Sequence, residues 1–164
     1  MLHPQLRAYF DEYLYYHQHE TNRLTHKIAI PVIVFHILAM LDWMRIPFLP
    51  TFSFGGISHG LSVGHLFFVG TVIWYLTLSP KLAALMAIAF APCFLISPFV
   101  PWWAVVAIAV VAWTVQLAGH AVWEKRKPAF LKNLLQALVG PLFFVALLTG
   151  DYTIEDGKTR LATA

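Results

Sequence analysis

The chain has 164 residues, 59% of them apolar and 12% charged, with a formal net charge of +3 and a mean hydropathy of +0.68. That balance excludes an ordinary soluble domain and leaves an integral membrane protein, with length enough for four or five spans of about 20 residues each. A lone cysteine, Cys93, excludes a disulfide framework and a Cys-rich metal motif.

The expected architecture is all-α: a polytopic membrane helix bundle of four to five spans with an amphipathic N-terminal helix. We read residues 1–164 as a single integral membrane domain, with an interfacial helix and polar motif over 1–27, membrane helices over 28–148 and a polar tail over 149–164. The isoelectric point near 9.1 reflects basic loops, and no basic-helix or stacking motif points to nucleic acid. Membrane lipid is the expected surrounding partner.

In chain order, residues 3–27 predict an amphipathic helix, because Leu6, Tyr9, Phe10, Tyr13, Leu14 and Tyr16 interleave with Arg7, Asp11, Glu12 and Gln18. This stretch is polar, unlike a secretory signal, so the first apolar span is expected to be retained. Four stretches then approach spanning length: Ile28 to Met44, Ile57 to Leu78, Leu82 to Val100 and Trp102 to Trp123. The first covers only about 25 Å and the fourth about 33 Å. Pro47, Pro50, Gly55 and Gly56 punctuate the first connection, Ser79-Pro80 the second, and Pro98 and Pro101 the third, where a tight hairpin is expected. Ala129 to Leu148 either crosses or dips in and returns, packed against the other helices, since Gly140-Pro141 breaks it in the middle. The tail from Asp151 is expected to be partly disordered.

Positive residues in short loops stay on the cytoplasmic side. Arg7, Arg23, Lys27, Lys81, Lys125, Arg126, Lys127 and Lys132 fall on one side and only Arg45 on the other, which orients the amino terminus and the loop after Trp123 toward the cytoplasm. Lys125-Arg126-Lys127 reads first as a topology signal and lipid anchor.

Two polar islands interrupt the apolar chain, residues 16–26 and 116–124, and this orientation puts both at one face. Ionisable groups at the edge of hydrocarbon are costly unless paired, bound or wetted, and imidazole is the commonest metal ligand. Gln116, His120 and Glu124 are spaced i, i+4, i+8 and form one stripe that must face the bundle interior, with Gly119 permitting close approach of a neighbour. His19, Asn22 and His26 share a helical face. His17 lies nine residues from His26, so it joins them only if the helix turns between, near Glu20 to Asn22, with Thr21 or Asn22 as cap. Imidazoles completed by a carboxylate or water suit Fe(II), Zn or Mn. His36, His59 and His65 read as hydrogen-bonded structural residues, Asp42 as a partner of Arg45 or a helix cap, and Trp43, Trp74, Trp102, Trp103 and Trp123 as interface belts.

Tyr16-His17, Asn22, His26 and Pro31, followed by Gln116, Gly119-His120, Glu124-Lys125-Arg126, Pro128-Ala129, Asn133-Leu134, Gln136 and Pro141, resemble the fungal endoplasmic-reticulum 2-hydroxy fatty acid dioxygenases and their bacterial relatives. The resemblance covers roughly residues 9–36 and 113–145. It implies an Fe(II)-dependent enzyme of fatty-acid α-oxidation that uses molecular oxygen to shorten a 2-hydroxy fatty acid by one carbon, in the bacterial inner membrane or the endoplasmic reticulum. It further implies His17, His26 and His120 as metal ligands, with Asn22, Gln116 and Glu124 orienting imidazoles or holding the substrate head group. His19 departs from the pattern, as a fourth ligand or a spectator. Two other readings stay open at this point: a haem or quinone redox protein, and a small transporter or structural membrane protein.

Overall fold

The computed structural model describes residues 2–163 and is built almost wholly from helices. Helix α1 (Pro4–Tyr15) starts on a proline whose missing N–H suits the first turn. It buries Leu6, Phe10, Tyr13 and Leu14, an i, i+4, i+7, i+8 stripe. The chain then turns through residues 16–19, so the long N-terminal helix expected over 3–27 is two helices. His19 makes the break, since its ring nitrogen accepts from the Thr21 N–H at 3.2 Å. The cap is therefore His19 rather than Thr21 or Asn22.

Helix α2 (Glu20–Asp42) is 23 residues long, about 34 Å at 1.5 Å per residue, and forms the axis of the bundle. A small antiparallel hairpin follows, β1 (Thr51–Phe54) and β2 (Ile57–Gly60), closed by Gly55 and Gly56. Both glycines have positive φ, the backbone a two-residue hairpin turn demands. This hairpin removes Ile57 to Gly60 from the expected second span. What remains is α3 (Val63–Leu78), 16 residues capped by Ser62.

After Ser79 comes α4 (Pro80–Phe90), continued by the short α5 (Cys93–Ile96) and a 3₁₀ turn over Ser97–Phe99. Pro101 leads directly into α6 (Trp102–Gly119), whose last turn widens into a π-helical segment, His120–Glu124. The connection is as tight as expected, yet α6 packs chiefly along α2. Among the described residues, three helical stretches are long and apolar enough to cross a membrane: Glu20–Asp42, Pro80–Phe99 and Trp102–Glu124. These three qualify by length and composition, and the 16-residue α3 is a shorter apolar helix beside them, so the all-α membrane helix bundle is as expected.

Helix α7 (Gln136–Leu148) has 13 residues, about 20 Å, too short to cross about 30 Å of hydrocarbon. It is buried along much of its length against α1, α2 and α4. The tail, expected to be partly disordered, forms α8 (Ile154–Thr163) docked on α1. Asp11 of α1 fixes it, accepting two hydrogen bonds from the Arg160 guanidinium at 2.8 Å and one from the Tyr152 hydroxyl at 2.6 Å. A bidentate pair that is partly shielded from water holds more firmly than an exposed one.

At the end of α2 remote from Glu20, Asp42 pairs with Arg45 at 3.0 Å and accepts from Ser62 at 2.7 Å, and Ser62 lies 2.8 Å from the His65 ring. His36 sits between the Val32 carbonyl and the Trp113 indole N–H. These groups are satisfied locally, in line with the structural roles read for them.

Candidate metal centre

His17 ends the turn after α1, His26 lies on the second turn of α2, and His120 opens the π segment after α6. The turn at residues 16–19 removes the nine-residue phase problem, because His17 no longer shares a helix with His26. All three rings are buried. Each offers a ring nitrogen, and these three atoms lie within 4.8 Å of one another. The Nε2 atoms of His26 and His120 are 3.1 Å apart. Two nitrogens each about 2.1 Å from one ion stand about 3.0–3.4 Å apart in octahedral or tetrahedral geometry, so the spacing of this pair suits a shared cation, which the third ring would join by closing in from the wider spread of the group.

The donor chemistry fits as well. His17 Nδ1 lies 2.7 Å from the Tyr13 carbonyl, an acceptor, so that nitrogen carries the proton and donates. The lone pair is left on Nε2, which is buried without a partner. An imidazole anchored through one nitrogen and free on the other is the usual posture of a metal ligand. Burial drives the His17 pKa well below its ordinary value, with the neighbouring His26 adding to the effect. The ring is thus neutral at physiological pH, as ligation requires. The Tyr13 phenol stacks on the His17 ring at 3.8 Å between centroids. His19 is exposed, caps α2 and stands outside the triad.

Asn22 and Glu124 bond to each other across the interface. Glu124 Oε1 accepts from Asn22 Nδ2 at 3.0 Å and from the His19 backbone N–H at 2.8 Å. This clamp ties the start of α2 to the π segment that carries His120, while the Asn22 backbone hydrogen-bonds the His26 ring. Gly119 is needed where the helices meet, since a Cβ there would overlap Asn22 Oδ1 and lie 3.2 Å from Thr25 Oγ1. Gln116 lies one turn before His120, buried, its Oε1 without a partner.

Beside the triad lies a cavity of about 480 Å³. His17, His120, Gln116, Tyr13 and Gln136 supply polar groups at its histidine end, and Ile30, Ile33, Val34, Ile37 and Leu38 carry its apolar wall along α2. Leu38 is twelve residues beyond His26, about 18 Å along the helix. Sequence reading missed Tyr13 and Gln136 as cavity residues. The i, i+4 relation of Tyr13 to His17 was the available signal, but it reads equally as the core stripe of α1. Gln136 is among the residues that carry the family resemblance, but its place in the cavity comes from tertiary packing.

A buried three-imidazole group that could hold a metal ion thus borders an apolar cavity in an all-helical bundle. The family model described as 2-hydroxy-palmitic acid dioxygenase Mpo1-like matches residues 3–152, and the chain belongs to that family of dioxygenase-type enzymes. A curated yeast protein, 2-hydroxy-palmitic acid dioxygenase MPO1 of Saccharomyces cerevisiae, is 29% identical over 143 residues, 85% of this chain and 76% of the yeast protein. No solved structure matches the chain.

Proposed function

We propose that this protein is an Fe(II)-dependent dioxygenase that converts a 2-hydroxy fatty acid to the fatty acid one carbon shorter. The convergence of His17, His26 and His120 beside the apolar cavity carries this reading, together with the yeast relative's name. Iron bound there would supply the affinity for oxygen and for the paired hydroxyl and carboxylate of the substrate. With O₂ as sole oxidant, a 2-hydroxy acid and one O₂ balance as the shortened acid, one carbon dioxide and one water, so no separate reductant is required.

The chain's own residues perform the remaining tasks. His17, His26 and His120 are the ligands, neutral and facing inward. Asn22 and Glu124 position two of them by clamping α2 to the π segment, and Gln116, next to His120, meets the substrate head group. The apolar wall along α2 sequesters the acyl chain. We place the site at the cytoplasmic face, where Arg23, Lys125, Arg126 and Lys127 attract an anionic head group. Direct approach of His26 and His120 favours one shared ion over a haem, whose axial imidazoles stand on opposite faces of the ring.

Metal content and one-carbon shortening of 2-hydroxyhexadecanoate by the purified protein, compared with His120→Ala, test the assignment. The variant is expected to lose bound iron and turnover together. Equal iron in both proteins would remove His120 from the ligand set.

A further inference from the structure

Gln136 opens α7 and is almost wholly buried beside the histidine end of the cavity. Its Nε2 donates to Glu12 Oε2 at 2.6 Å. Because a carboxylate only accepts, this bond fixes which end of the amide is which. The Oε1 atom is therefore the end turned away from Glu12, and it is buried with no hydrogen-bond donor. Buried acceptors are nearly always satisfied, and leaving one unpaired costs as much as a lost hydrogen bond. Gln116 differs, since nothing pins its amide and either end can face a ligand.

An oriented, unpaired acceptor on a residue that lines the cavity selects for a donor. The carboxylate of a fatty acid has none at neutral pH and the acyl chain has none. The hydroxyl on carbon 2 is the one O–H that a 2-hydroxy acid adds. Tyr13 complements this arrangement: its hydroxyl is also buried and unpartnered, and burial keeps the phenol protonated, able to donate to a head-group oxygen. Its ring stacks on His17 and its hydroxyl would lie 3.2 Å from a Cβ at Gly140, one turn beyond Gln136 on α7. Tyr13 thus spans from the histidine cluster to the helix that carries Gln136.

We propose that Gln136 is a specificity-determining residue that accepts a hydrogen bond from the substrate's 2-hydroxyl, and that Glu12 is the positioning residue that aims its amide. This rests on the 2-hydroxy acid reading of the site. A site built to pair with a hydroxyl rejects the analogue lacking it, because its own acceptor is then left unpaired. Discrimination of about tenfold or more is expected from that loss.

The test is binding without turnover. Affinities of 2-hydroxyhexadecanoate and hexadecanoate are measured by calorimetry on the iron-loaded protein in detergent under anaerobic conditions. Wild type is expected to favour the hydroxylated acid, and Gln136→Met to cut that preference by about tenfold, leaving the part that iron chelation supplies. Glu12→Leu removes the acceptor that pins the Gln136 amide, so it should narrow the ratio too. It decides the matter if Gln136→Met does not fold. An unchanged ratio in the variants, or no preference in wild type, would overturn the proposal. Failure of the parent reading looks different: wild type would hold no iron or leave 2-hydroxyhexadecanoate unshortened.

Discussion

His26 Nε2 and His120 Nε2 stand 3.1 Å apart although 94 positions separate them in the chain. Two neutral imidazoles that close share at most one N–H between them, and a third ring, His17, turns an unpartnered nitrogen toward the same space. A cation held there would relieve all three at once. Metal should therefore stabilise the fold: at a free concentration one hundred times the dissociation constant the gain is about 2.7 kcal/mol. Thermal unfolding of chelated and iron-loaded protein in detergent should show a rise of several degrees, absent in His26→Ala.

Gly119→Ala tests the close approach of α6 and α2. The new Cβ would overlap Asn22 Oδ1 and sit 3.3 Å from His26 Cε1, so the helices must part or Asn22 must leave its bond to Glu124. A loss of about 1–3 kcal/mol in stability is expected, with a fall in iron affinity read by competition with a chromogenic chelator. Full iron affinity with unaltered stability would show that this contact does not set the site.

Glu124→Ala removes the acceptor shared by Asn22 and the His19 backbone N–H. Iron affinity should fall about 10–100-fold, the range for groups that orient ligands without being ligands, whereas His120→Ala should abolish binding. Titration of both variants with Fe(II) separates an orienting role from ligation.

The metal-free protein should weaken as the medium is acidified. Burial lowers the His17 pKa in the folded state, whereas the unfolded chain protonates that ring near pH 6.5. The unfolded form then binds the extra proton, so the His17 contribution is fully present above about pH 6.5 and is lost as pH falls toward the lower folded value. Urea unfolding at pH 7.5 and 5.5 should show the decline, and His17→Gln should flatten it.

Ile37→Trp would plug the cavity eleven residues beyond His26, about 16 Å along α2. Long 2-hydroxy acids should lose affinity while short ones keep theirs. A uniform loss across chain lengths would mean that the acyl chain lies elsewhere.

Composition and spacing determined much of this protein on their own. Apolar runs fixed a helical membrane bundle because backbone polar groups in hydrocarbon must be satisfied within each segment, and charge bias brought the two polar islands to one face. The i, i+4 relation of Gln116 to His120 and the glycine beside it required no fold to be noticed. Turn and pairing preferences near Gly55-Gly56 were present too, yet a long apolar run masked them, so a hairpin was read as the start of a span. Packing decided the rest. Whether Gln136–Leu148 crosses, whether the tail docks, and which wall of the cavity Tyr13 and Gln136 occupy depend on contacts between segments up to 149 positions apart, and no local pattern encodes such distances. Even the His17 turn, suggested by phase, owes its closure to Glu124 reaching the His19 N–H from the far end of the chain.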